Sequence, residues 1–236
     1  MCSSDLREYA GLALNHYTAC THDCIYCYGP GCSYTNRRQY FSTPNPKRDI
    51  LNRIWKDVVK LSRFKNVPEI LISFLGDCYQ HAEAEIGLTR QIISMLIEYG
   101  LPFTVLTKGG SRAKRDFGLL SDYPQCRFGT SLVFTNQADA DHWEPHAASI
   151  EDRIDTIQTA HELGIKTWVS MEPVIYPDQV IELVEKLHPV VDHWKIGKIN
   201  HNKTAESKCD WTKFRHDITA ALEKRSEVRR VGKECR

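Results

Sequence analysis

Short apolar runs alternate with longer amphipathic stretches along most of this chain. That alternation limits the fold more than any other feature. "EILISF" is a nearly continuous apolar run, as expected of a strand buried on both faces. "FTVLT", "RFGTSLVF", "KTWVSMEPV" and "HWKIGKI" are similar runs, and "LALNHY" precedes them all. Between them lie helix patterns. "PKRDILNRIWKDVVKLSRF" sets Ile50, Leu51, Ile54, Val58 and Leu61 on one stripe. "AEIGLTRQIISMLIEYG" stops at Gly100, and a short helix is expected around Lys114 to Leu120. "SIEDRIDTIQTAHELG" starts with Ser149 as a candidate N-cap and ends at Gly164. "PDQVIELVEKLH" carries Pro177 near its start, and "DWTKFRHDITAALEKR" is a final helix. Strand then helix, repeated, means parallel strands with right-handed crossovers. Six strands follow, in one α/β domain that is either an open doubly wound sheet or a partial barrel. In both, ligands gather at the carboxyl ends of the strands.

With 236 residues and 42% apolar content, the chain can bury a sizeable core. Its formal net charge of +1 gives no bulk field toward nucleic acid or membrane, so such binding needs a local patch. No apolar run approaches the roughly 20 residues that span a bilayer, and the start lacks a signal-peptide pattern. Nine cysteines in a chain this long suit a reducing cytoplasm, with thiols kept for metal or chemistry. The ends "MCSSDL" and "SEVRRVGKECR" read as foreign to the domain. A single domain is expected over 7–225, with 1–6 and 226–236 as non-native tails, so that Cys2 and Cys235 carry no meaning.

The first loop, after "LALNHY", holds "CTHDCIYC". Three thiols at spacings of four and three can serve a tetrahedral zinc if His22 or Cys32 completes the set, although structural zinc sites usually use two separated pairs. They can equally serve three irons of a cubane cluster and leave the fourth open to a small molecule. Cys32, in a Gly-Pro-Gly-Cys turn, reads as an ordinary loop thiol.

The spacing C-x3-C-x2-C, with Tyr26 before the last cysteine, resembles the signature of radical S-adenosylmethionine (SAM) enzymes. The likeness extends from about Leu14 to Ile199. "LNHYTACTHDCIYCYGP" and "LISFLGDCYQHAEAEIGLTRQIISMLIEYGLPFTVLTKGG" resemble the spore photoproduct lyase-like group, also called DNA repair photolyase-like. The resemblance implies a partial (β/α)6 barrel, a 4Fe-4S cluster on Cys20, Cys24 and Cys27, and SAM on the open iron. It implies reductive cleavage of SAM to a 5′-deoxyadenosyl radical, the radical chemistry being the cofactor's own. It also implies an outside electron donor such as flavodoxin or ferredoxin. By the same likeness, the backbone near Tyr26 meets adenine, Lys108 contacts the SAM carboxylate end, and Ser131 lies near the ribose or amino acid. Glu172, at the mouth of the fifth strand, is placed to hold ribose hydroxyls or the amino group. Each has a plainer reading: Lys108 as a solvated strand-end lysine, Ser131 as a small packed residue, Glu172 as a salt-bridged glutamate.

Two departures matter. In "GDCYQ", Cys78 stands where the group's usual text has proline. Phe74 stands where spore photoproduct lyase carries its hydrogen-donor cysteine, and a phenyl ring cannot donate a hydrogen atom as a thiol does. Repair of the thymine dimer is therefore not carried over. Cys78 lies beyond the strand end and should point elsewhere, so the quencher of a substrate radical is returned 5′-deoxyadenosine, Cys78 only if the loop folds inward, or a tyrosine such as Tyr79. "TNRRQYFSTPNPKR" mixes cations and aromatic rings, as a nucleic-acid contact would, or it is a solvated loop whose rings cover the cluster. "NQADADHWEPH" reads as a polar loop. His81, His142, His146 and His161 form no spaced metal set, and Trp143 and Trp168 read as core or lip residues.

Overall fold

The computed structural model describes residues 10–198 and 209–223. The expected tails at 1–6 and 226–236 lie outside the described residues. Six strands form one sheet: β1 Leu12–Leu14, β2 Ile70–Ile72, β3 Phe103–Thr107, β4 Cys126–Ser131, β5 Thr167–Met171 and β6 His193–Ile196. They pair in chain order and all in parallel. Among the described residues β6 does not pair with β1, and the architecture is the expected partial barrel.

The helices are α1 Gly29–Cys32, α2 Arg37–Tyr40, α3 Ile50–Leu61, α4 Glu83–Ile86, α5 Leu88–Glu98, α6 Phe117–Ser121, α7 Gln137–Trp143, α8 Ile150–Glu162, α9 Pro177–Leu187 and α10 Trp211–Glu223. A 3₁₀ segment, Gly110–Asp116, precedes α6 where a single short helix was expected. The expected α8 cap is present: the Ser149 hydroxyl accepts from the Asp152 N–H at 3.2 Å. Gly164 adopts φ +75° just beyond that helix, a conformation a side chain would strain. No described helix is long and apolar enough to cross a membrane.

Two expectations change. The polar stretch "NQADADHWEPH" is not a loop throughout, because α7 occupies Gln137–Trp143. Asn136 caps it by accepting from the N–H groups of Ala138 and Asp139. The "TNRRQYF" stretch likewise contains α2, with Asn36 as its cap. Both helices begin at an asparagine, a local signal that short polar segments hide.

The two faces of the sheet do different work. Ile70, Ile72, Phe103, Val105, Phe128, Val169 and Met171 point outward into one core with helix residues such as Ile92, Leu96, Ile157 and Leu183. The alternate residues point inward. Inside, Leu71 and Trp168 pack with Ala10, Phe74 and Leu106. Trp168 crosses the interior from β5 and donates its indole N–H to the Val105 carbonyl at 3.1 Å. A β-carbon at position 129 would overlap its ring, which explains Gly129 on β4. Trp168 therefore fills the lower part of the barrel, and the space that remains lies above it, at the carboxyl ends of the strands.

Candidate functional site

That space is a cavity of about 400 Å³. The cysteine loop forms one wall, and Cys20, Cys24 and Cys27 all line it. All three are free thiols, and Cys20 and Cys24 are buried. Burial pushes the Cys20 and Cys27 thiols up and the Cys24 thiol up to about 12. The loop turns sharply at Asp23 (φ +47°), a conformation aspartate tolerates better than most residues. A Cys27 to Cys24 backbone bond of 3.1 Å closes the next turn, and the Gly29 N–H points at the Cys27 sulfur at 3.3 Å.

Distant segments hold this loop. Gln80, fully buried, accepts from the Thr21 N–H at 3.0 Å and donates to the Ala19 carbonyl at 3.2 Å. The end of α7 meets the loop at the Ile25 N–H (to the Trp143 carbonyl, 2.9 Å), and the segment after it donates from the His146 N–H to the His22 carbonyl at 3.3 Å. The His22 ring pairs through Nδ1 with the His146 carbonyl at 2.9 Å, and its Nε2 lies 3.1 Å from Asp77. Arg37 donates from outside to the carbonyls of Asp23 and Cys24 at 2.9 and 3.0 Å. With its ion pair to the Asp23 carboxylate at 2.6 Å, it is thus engaged by the cysteine loop. Tyr40 is buried and Phe41 half-buried, and both line the cavity. The rings of this stretch cover the site.

Asp77 is the hub at the mouth of β2. Its Oδ1 accepts from the Tyr79 N–H at 2.8 Å and the Thr107 hydroxyl at 2.6 Å; its Oδ2 accepts from the Lys108 N–H at 2.6 Å. Burial works against the charge, but His22 and these donors outweigh it and hold the carboxyl below the usual range.

Lys108, Ser131 and Glu172 all line the same cavity, as does Tyr26. Lys108 is not the solvated strand-end lysine of the plainer reading, since its side chain is 16% exposed. Its ammonium stands 3.9 Å from Glu144 and over the Tyr26 ring, 5.7 Å from the centroid. Burial lowers its proton affinity, yet Glu144 and Cys24 raise it further, and the net shift is upward. The Tyr26 hydroxyl donates to Glu144. Glu144 in turn pairs with Arg153 at 2.6 Å, and Arg153 also donates to the Ser131 carbonyl at 2.9 Å. Glu172 precedes a cis-proline, and Gly197 lies so close that a β-carbon there would crowd the carboxylate.

Sequence reasoning missed Glu144, Arg153, Gln80, Ser170 and Lys198; the last two line the cavity. For Arg153 a signal exists: it falls on the apolar stripe Ile150, Ile154, Ile157 of α8, where a charge must find a buried partner. Cys78 points elsewhere, as its place beyond the strand end implies: it is fully buried, with its thiol toward the Leu106 carbonyl at 3.7 Å, and Tyr79, the tyrosine offered as a quencher, is fully buried with its hydroxyl on Asp116 at 2.9 Å. Neither lines the cavity. Phe74 does, with its ring 5.9 Å from that of Tyr28.

The radical SAM superfamily model matches residues 14–188, well over half of the chain. The chain belongs to the radical SAM superfamily. Among curated relatives of this radical SAM protein, MJ0683 of Methanocaldococcus jannaschii is 29% identical over 203 residues, 84% of this chain and 74% of the relative. ORF301 of Acidianus two-tailed virus is 24% identical over 187 residues, 75% of this chain and 60% of that protein. The fold is shared with SuiB of Streptococcus suis bound to S-adenosylmethionine (TM-score 0.69, 14% identity). That match covers 93% of this chain and 49% of SuiB, so the chain spans about half of SuiB's length. It is shared too with spore photoproduct lyase carrying bound AdoMet and a dinucleoside spore photoproduct. There the TM-score is 0.62 and the identity 16%, over 92% of this chain and 62% of that one.

Proposed function

We propose that this radical SAM protein holds a 4Fe-4S cluster on Cys20, Cys24 and Cys27, beside SAM bound by Tyr26, Lys108, Ser131 and Glu172. One observation carries the reading: the three free thiols open on the same cavity as those four residues. When bound, the cluster supplies one electron that splits SAM to a 5′-deoxyadenosyl radical, which takes a hydrogen atom from substrate. The chain's part is to bind, orient and exclude water. Lys108 offers an ammonium to the SAM carboxylate. Ser131 and Glu172 offer a hydroxyl and a carboxylate to the ribose or the amino group. Tyr26 packs its ring behind the loop and leaves its backbone for the adenine. Trp168 closes the barrel below.

The zinc alternative fits the residues less well. Both His22 nitrogens face protein groups, the His146 carbonyl and Asp77. Among the described residues, no three His, Cys, Asp or Glu side chains are gathered closely enough for a single ion. A cubane takes its thiolates at separate corners and tolerates a wider spread.

On this reading the enzyme is spore photoproduct lyase-like and acts with a one-electron donor such as flavodoxin or ferredoxin in a reducing cytoplasm, a reading that the sequence resemblance supports. Dimer repair itself is not assigned, because Phe74 stands in the cavity where the donor thiol is needed. The test is anaerobic reconstitution with iron and sulfide, then reduction with SAM present. About four irons per chain and release of 5′-deoxyadenosine are expected. Alanine at Cys20, Cys24 or Cys27 abolishes both, while Cys126→Ala, a buried thiol far from the cavity, abolishes neither. Bound zinc, or iron retained without any one of the three thiols, overturns the reading.

A further inference from the structure

Behind the cavity wall lies a buried group of one carboxylate and two cations. The Glu144 side chain is 0% exposed and that of Arg153 is 1% exposed. Arg153 approaches Glu144 Oε2 at 2.6 Å, whereas Lys108 stands 3.9 Å from Oε1, an oxygen that also accepts from Tyr26. One negative charge thus faces two positive ones, and the tighter claim belongs to Arg153. Lys108 reaches the cavity; Arg153 does not line it. A buried ion pair is a weak source of stability, because desolvation offsets most of its attraction. Its value must lie in what it arranges.

The geometry points to Arg153 as a positioning residue: by holding Glu144, it keeps the carboxylate from closing on Lys108 and leaves that ammonium available to an anionic group in the cavity. Taking that group to be the SAM carboxylate rests on the function proposed above. The second bond of Arg153, to the Ser131 carbonyl, ties the same side chain to the end of β4. One guanidinium therefore sets both Lys108 and the Ser131 backbone. Without it, Lys108 is the close cation left to Glu144 among the described residues, and attraction in a buried site draws the ammonium onto the carboxylate.

The experiment compares ligands with and without the carboxylate. Iron-loaded protein is titrated anaerobically in a calorimeter with SAM and with decarboxylated SAM, and the ratio of the two Kd values is the readout. Lys108→Met should lower the preference for SAM by about tenfold or more, the scale of a lost hydrogen bond to a charged group. Arg153→Gln should lower it comparably. The double variant Glu144→Gln, Arg153→Gln removes the competing carboxylate and should restore the preference, which a merely structural role for the pair would not do. If Lys108→Met leaves the ratio unchanged, the assignment of Lys108 to the carboxylate fails. If Lys108→Met lowers the ratio and Arg153→Gln does not, or the double variant stays as low as Lys108→Met, the positioning role is overturned while that assignment stands. Should Arg153→Gln not fold, Arg153→Lys replaces it, with its shorter and single-pronged reach. A reduced ratio restored by adding Glu144→Gln supports the proposal, and an unchanged ratio overturns it.

Discussion

Asp77→Asn separates the two sides of one carboxylate. Oδ1 serves Tyr79 and Thr107, while Oδ2 serves the Lys108 N–H and faces His22 of the cysteine loop. An asparagine can present its oxygen to one side only, so an NH₂ group must then confront buried donors on the other. The lost bond to a charged acceptor costs about 1.5–3 kcal/mol, and the stranded donor about 1–3 kcal/mol more. A loss of about 3–5 kcal/mol follows, near the cost of breaking a buried pair from one side. For a domain of this size that is a fall in Tm of about 10 °C. The assay is urea unfolding of cluster-free protein under reducing conditions, followed over a range of pH. The wild-type carboxyl is depressed in the folded state, so its contribution is fully present above the unfolded value of about 4. It is lost as pH falls below that toward the depressed folded value. In Asp77→Asn this part of the acid dependence should vanish. A variant within about 1 kcal/mol of wild type, with an unchanged acid limb, would show that the donors around Asp77 are satisfied by water and refute the reasoning.

Two further outcomes follow from the barrel interior. Gly129→Val should drive a branched side chain into Trp168 and cost about 1–3 kcal/mol by overpacking, read by thermal unfolding, and a neutral result would mean the indole has room to move. With Phe74 lining the cavity, and with Cys78 and Tyr79 turned away, reduced enzyme should cleave SAM without converting spore photoproduct DNA to thymine. Thymine formed in step with 5′-deoxyadenosine would show that another residue supplies the hydrogen atom.

The sequence by itself determined the parts that depend on neighbouring residues. Apolar runs of strand length, helical stripes, Ser149 as a cap and Gly164 as a stop are local features, and they order six strands with the cysteine loop after the first. The thiol spacing is also local, and it names the loop that carries the site. Phe74 was legible through the family resemblance, which sets it at the donor-thiol position, and it does line the cavity. Tertiary structure decided what lies across the chain from that loop. Glu144 meets Tyr26 over a separation of 118 residues, and no periodicity near either residue encodes the meeting. It arises because α7 and α8 follow β4, and their connecting segment must cross the mouth of the barrel where the loop also lies. Tyr79 shows the converse: it sits two residues from Asp77 in sequence, yet of the two Asp77 alone lines the cavity. The charge on Arg153 was visible on an apolar stripe, but its partner was not, because a buried cation is satisfied by whichever carboxylate the packing brings to it.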